Sequence, residues 1–298
     1  MPNSLYKTSD QSVRTKCDRR YPLPTFADWS LIGFTLLTQS AVGLVFITTM
    51  GHWFGNATQA DILFRSMALA LGITAAGLLA ALSHLAAPRL APQALRNPAT
   101  SWLSREVLIV PIFAAALGLA IMATLLENPA TLIILEITAC LLGGAALWAM
   151  TGVYLLKTVP AWNTLATVLE FAGSASLLGG ALSAVLTSLG TAGWSPALTA
   201  SAAGMFLGLV IKLAAVKPAM QAERAARDQV WYQQPDFTLS AGQTLAIRSV
   251  MNVTGVTLML TPANKSVQLG LFFGLALLVA GEVLGRVRFY RLYGRIGL

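Results

Sequence analysis

Eight stretches of this chain are long and apolar enough to cross a lipid bilayer, and no other feature limits its fold so tightly. They fall at 30–50, 66–87, 107–126, 131–156, 165–187, 196–216, 244–262 and 267–285. A span takes roughly 20 mostly apolar residues. Lipid offers no partner to a free amide, so each span must be a helix or part of a closed barrel. The alternation that a barrel strand needs is absent. Composition points the same way: 56% of the 298 residues are hydrophobic and 11% are charged, against about 25% charged in soluble domains. The expected fold class is all-α, a polytopic membrane protein with eight transmembrane helices. The expected organisation is a basic tail over 1–29, one membrane domain over 30–288 and a short basic tail over 289–298. No cleavable leader is expected, because the first apolar run is as long as a full span and lacks a small-residue cleavage pattern.

An even number of spans leaves both termini on one side. Of the 20 lysines and arginines, 17 fall on that side: five in 1–29, three in 88–106, Lys157, four near 212–227 and four in 286–295. Arg65 and Lys265 fall opposite, and Arg248 lies inside a span. Basic loops stay in the cytoplasm, so both termini and the loop 88–106 are expected at the inner face of a bacterial plasma membrane. The net charge of +8 then reflects loop bias and contact with lipid headgroups, and no nucleic-acid motif accompanies it. Within the long loop 217–243, the stretch 219–231 reads as a helix on the inner membrane surface, solvated or against a partner. Cys17 and Cys140 have no metal-ligand spacing and read as structural or neutral. Gly204 and Gly208 form a GxxxG pair suited to close helix contact.

Only two histidines are present, His52 at the outer end of the first span and His84 at the inner end of the second. A span separates them by about 30 Å, so they cannot share one iron, and no haem is expected. Ionisable residues inside a membrane are costly and often functional. His84, Glu106, Glu170, Arg248 and Glu282 all fall in the inner half, while Glu136 stands alone in the outer half. One reading has Glu170, Arg248, Glu282 and Arg286 pairing to hold helices together. The other has the five inner groups around an apolar pocket with a few polar contacts, which suits a quinone ring. A quinol releases protons with its electrons, so such a site needs a carboxylate or His to accept them. In "TSWLSREV" (100–107), Ser104 reads as the N-cap of the third span, with Glu106 in its first turn. Trp102 reads as part of an interfacial aromatic belt. Arg105 opposes the helix dipole, which suggests a cytoplasmic docking role.

Three segments, "SHLAAPRLAPQALRNPATSWLSREV" (83–107), "VYLLKTVPAWNT" (153–164) and "GEVLGRVRFY" (281–290), resemble the dimethyl sulfoxide reductase membrane-anchor (DmsC) family. The resemblance covers nearly all of the chain after about residue 28. Ala86 stands where the family has Gly after His-Leu, and the basic tail is longer than in the family. The resemblance implies an eight-helix anchor without haem, which exchanges electrons with menaquinone or ubiquinone. It implies a heterotrimer with an iron–sulfur subunit and a molybdopterin catalytic subunit, both cofactors residing in those partners. Glu106 matches a family acid tied to quinol binding, and His84 lies in the same segment. Arg105, Arg89 and Arg96 are candidates for docking the partner. The charge count places that loop inside, which suggests a cytoplasmic catalytic partner, as in sulfite-oxidising members that reduce quinone. Two other readings compete. A secondary transporter would show paired interruptions in two halves, and none is evident. A passive scaffold would bind no quinone.

Overall fold

The computed structural model describes residues 26–54, 60–83, 93–190, 195–227, 239–261 and 267–292. Of the sequence expectations, those for His84, Arg89, Cys17, Lys265 and most of both tails lie outside these residues, as does the end of 219–231. Among the described residues there are eight long helices and no strand. They are α1 (Phe26–Phe54), α2 (Ala60–Ser83), α3 (Trp102–Leu125), α4 (Pro129–Tyr154), α5 (Leu165–Gly190), α6 (Pro196–Arg227), α7 (Ala241–Leu260) and α8 (Val267–Arg291). Each expected span falls on one of them.

Seven of the eight, all but α7, are long and apolar enough to cross a bilayer. In α7 the polar residues Thr244, Arg248 and Asn252 recur every fourth position and are buried. Much of its low apolarity comes from that inward stripe, and the exposed Gln243, Thr254 and Thr257 add to it. Outward faces carry Leu119, Leu141, Phe206, Val250 and Phe273, all exposed, where lipid tails would lie.

Local chemistry sets the ends. Ser101 caps α3 by accepting from the Ser104 amide, which satisfies one of the helix's free N–H groups. The cap is thus Ser101 and not Ser104, and Glu106 falls in the second turn, facing inward. Asn128 caps α4 with Pro129 at its first position, after a turn in which Glu127 has φ of 50°. Ser240 and Gln243 cap α7 reciprocally.

The sixth helix departs most from expectation. It runs through Pro218 to Arg227, so 219–227 continues α6 and is not a separate surface helix. A proline inside a helix removes one backbone bond. Tertiary contacts hold the helix beyond it: Glu223 is buried and pairs with Arg288 of α8.

Neighbouring helices pair as α1 with α2, α3 with α4, α5 with α6 and α7 with α8, and α1 also lies along α5. Helix α1 is the most enclosed of the apolar helices. Three of its hydroxyls turn back onto its own carbonyls, Thr35 to Leu31, Ser40 to Leu36 and Thr48 to Leu44, which satisfies those buried polar atoms within the helix, while Thr38 and Thr49 Oγ1 have no hydrogen-bond partner among the described residues. The α1–α5 crossing depends on glycine. A Cβ on Gly43 would land on the Ala175 carbonyl, and one on Gly179 on the Gly43 backbone. Gly204 and Gly208 also face neighbours, Ile47 and Leu177.

Candidate functional site

At the basic end of the bundle, four helices contribute one charged side chain each to a closed network. Lys212 Nζ donates to Glu170 Oε2 at 2.8 Å, Glu282 Oε2 at 2.6 Å and Ser174 Oγ at 2.6 Å. Arg248 Nη2 donates to Glu170 Oε2 at 2.5 Å and Glu282 Oε1 at 3.0 Å. Ser174 Oγ and Asn252 Nδ2 also donate to Glu282. Helix α8 comes close enough for this because Gly285 lies against the Arg248 guanidinium, where a Cβ would fall 2.7 Å from its Cζ. Two acids and two bases make the network neutral, which is how buried charge becomes tolerable. Arg248 Nε has no protein partner among the described residues. A cleft of about 60 Å³ beside it holds a few waters at roughly 10–15 Å³ each, but not a ring headgroup.

The structure thus joins Glu170, Arg248 and Glu282 and adds Lys212, which the sequence placed among loop cations. Removing Lys212 and the buried Arg286 from the flanking basic residues leaves the strong charge asymmetry intact. Arg286 does not join the ion pairs. Its guanidinium donates to Gln39 Oε1 at 2.8 Å and lies 4.1 Å from the centroid of Phe171.

Glu106 lies outside the network. It sits on the inward stripe of α3 with Trp102 and Val110, each one turn away, and is only 5% exposed. Among the described residues no side chain hydrogen-bonds or ion-pairs with it. Its surroundings are the aromatic end of the bundle: Tyr154, Trp162, Phe171, Phe289 and Tyr290 pack ring against ring. Trp162 Nε1 donates to the Phe289 carbonyl at 2.7 Å, and the Tyr154 and Tyr290 hydroxyls are 2.6 Å apart. Sequence reasoning did not single out these tyrosines. The signal lay in the resembling segments 153–164 and 281–290, which contain one each.

Arg105 has a local occupation. It donates to the Pro98 and Ala99 carbonyls at 2.8 and 2.6 Å and lies 4.3 Å from the Trp102 ring centroid. It therefore braces the loop before α3. Arg96, in the short turn over 93–96, is exposed. At the opposite end Glu136 is not alone: it accepts from Trp53 Nε1 at 2.6 Å and lies 3.0 Å from His52 Nδ1, tying α1 to α4. A cavity of about 910 Å³ runs between α1, α5 and α6 past Phe46, Met50 and Ala203, and no acid lines it.

A bundle of long apolar helices with a neutral buried ion network at one end defines a polytopic helical membrane protein. The chain belongs to the DMSO reductase anchor subunit (DmsC) family, whose profile matches residues 24–292. It is 28% identical over 291 residues to the anaerobic dimethyl sulfoxide reductase protein YnfH of Escherichia coli, covering 91% of this chain and 96% of that protein. It is 28% identical over 286 residues to the C subunit of the anaerobic dimethyl sulfoxide reductase of the same organism, with the same coverage. The corresponding C subunit of Haemophilus influenzae is 30% identical over 145 residues, covering 47% of this chain and 52% of that protein.

Proposed function

We propose that this anchor exchanges electrons between the membrane quinone pool and an iron–sulfur subunit that serves a molybdopterin catalytic subunit. Glu106, with His84 of the same segment, receives the quinol protons. Glu170, Lys212, Arg248 and Glu282 hold α5, α6, α7 and α8 in register beside that site. The observation that carries this reading is the contrast between the two groups of acids. Each carboxylate of the network faces two cations and is poorly suited to accept a proton. Glu106 is buried with no cation paired to it among the described residues, the condition in which a carboxylate most readily takes one.

The basic flanks support a reading with both termini, and hence the partner, on the cytoplasmic side. An enzyme that oxidises sulfite there and reduces quinone fits this orientation. Docking uses the loop 88–106, where Arg89 and Arg96 offer charge and Arg105 holds the loop's shape.

The test uses the complex purified with its partners, whose molybdenum and iron content reports assembly. Glu106→Gln lowers quinone-linked turnover by roughly 10²-fold, the low end for loss of an acid–base group, while turnover between substrate and a soluble dye is unchanged. Quinone-linked turnover at the wild-type rate in Glu106→Gln reduces Glu106 to a packing residue.

A further inference from the structure

Next to the neutral network, charge does not balance. The cleft beside Arg248 is lined by three carboxylates, Glu170, Glu223 and Glu282, and by three guanidiniums, Arg248, Arg286 and Arg288. Glu170 and Glu282 are shared between Lys212 and Arg248, and Glu223 pairs with Arg288. Four cations therefore stand against three acids, and Arg286 is left without a carboxylate among the described residues. It is only 4% exposed, so bulk water does little to offset its charge, and a buried ion without a counter-charge is costly. Its contact with the Phe171 ring offsets part of that cost.

Hydrogen-bond donors are in surplus at the same place. A guanidinium has five N–H groups and no acceptor. Among the described residues Arg286 donates one hydrogen bond, from Nη2 to Gln39, and Arg248 Nε donates none. The hydroxyls on the wall are already engaged, Thr167 with the Trp162 carbonyl at 2.6 Å and Thr244 with the Ser240 carbonyl at 3.1 Å. One extra positive charge and several idle N–H groups are the complement of a singly charged oxyanion. The cleft, about 60 Å³, has room for about four to six water-sized groups at roughly 10–15 Å³ each, which suits a phosphate group and its oxygens. It extends past the half-buried Ala219 and Ala222, on the part of α6 beyond Pro218. On that same stretch Lys217 and Arg224 are exposed and add positive potential near its mouth.

We propose that this cleft binds one phosphate group, held by Arg248 and Arg286, either as the phosphodiester of an anionic lipid headgroup or as free phosphate. Guanidinium N–H groups match phosphate oxygens two against two. Basic pockets between transmembrane helices on the cytoplasmic side suit anionic headgroups. The bound group completes the charge balance where α6, α7 and α8 meet and fastens the end of α6 to α8.

The experiment follows the melting temperature of the full chain, stripped of lipid in detergent. Three probes are added separately: inorganic phosphate, phosphatidylglycerol, and a galactosyl diacylglycerol with the same acyl chains and no phosphate. A ligand of the folded chain alone raises the melting temperature by about 3–6 °C at about tenfold over its Kd. A shift with phosphatidylglycerol and none with inorganic phosphate assigns the site to a headgroup. A shift with inorganic phosphate that phosphatidylglycerol does not exceed assigns it to the free anion. Arg286→Gln keeps a donor for Gln39 and removes the surplus charge. Ala222→Glu supplies a carboxylate at the cleft with every guanidinium in place, and decides alone if Arg286→Gln does not fold. Both variants lose the shift. No shift from either phosphate probe, an equal shift from the galactolipid, or a full shift in either variant overturns the site.

Discussion

At the scale of single residues, burial and pairing decide what a charge can do. Lys212 is 5% exposed and Glu282 1%, so neither can turn to water if its partner is lost. Removing one partner of a buried ion pair costs about 3–5 kcal/mol, because the remaining charge is left uncompensated. Lys212→Met therefore leaves two carboxylates facing one guanidinium and lowers the melting temperature of the detergent-purified protein sharply. Adding Glu170→Gln restores neutrality, with Glu282 against Arg248, and recovers most of the loss. A double variant no more stable than the single one would mean that charge balance is not what the network supplies. Lys212 was hard to see in the sequence because a lysine near the end of an apolar run reads as a cation reaching the interface. Only the neighbouring helices show that it turns inward.

At the scale of elements, the crossings rest on particular small residues. Gly43 and Gly179 let α1 and α5 meet backbone to backbone. Overpacking a full interior costs about 1–3 kcal/mol. Gly43→Ala is expected to cost at least the lower end of that range, because the new methyl meets a carbonyl and not a flexible side chain. Gly72 and Gly118 have nothing within 4 Å of an added Cβ. Alanine there is expected to be neutral or to stabilise by up to about 1 kcal/mol through helix propensity. Thermal melts of the three variants in one detergent check the contrast, and equal losses at all three positions would contradict it. The GxxxG pair at Gly204 and Gly208 was legible in the sequence, but the tightest crossing, at Gly43 and Gly179, has only the less conspicuous small-residue spacing Ala175, Gly179 and Ser183 in α5 and no GxxxG in either helix.

At the scale of the whole molecule, charge divides unevenly between the two ends of the bundle. Arg65 pairs with Asp61 at one end, while Arg105, Lys157, Lys217, Arg224, Arg288 and Arg291 gather at the other, the end we propose faces the cytoplasm. A reporter fused after Leu298 is expected to be active only in the form that works in the cytoplasm. Activity of a periplasmic reporter at that point would reverse the orientation and move the docking face to the other side of the membrane.

The number of helices, their order and which end is basic were all legible in the sequence. Each follows from solvent: lipid forces apolar runs into helices whatever their neighbours are, and charge is read one loop at a time. The acids were visible too, since a Glu in an apolar run is conspicuous. Which acids share a site was decided only by the packing of the helices. Glu170 and Glu282 are 112 positions apart in the sequence and meet through Lys212 and Arg248, whereas Glu106 is buried on the inward stripe of α3, outside that network. Depth in the membrane follows from position along one helix. Direction around the helix axis is set by the helices it packs against, and that rotation separates a neutral ion network from a buried acid with no charged partner among the described residues.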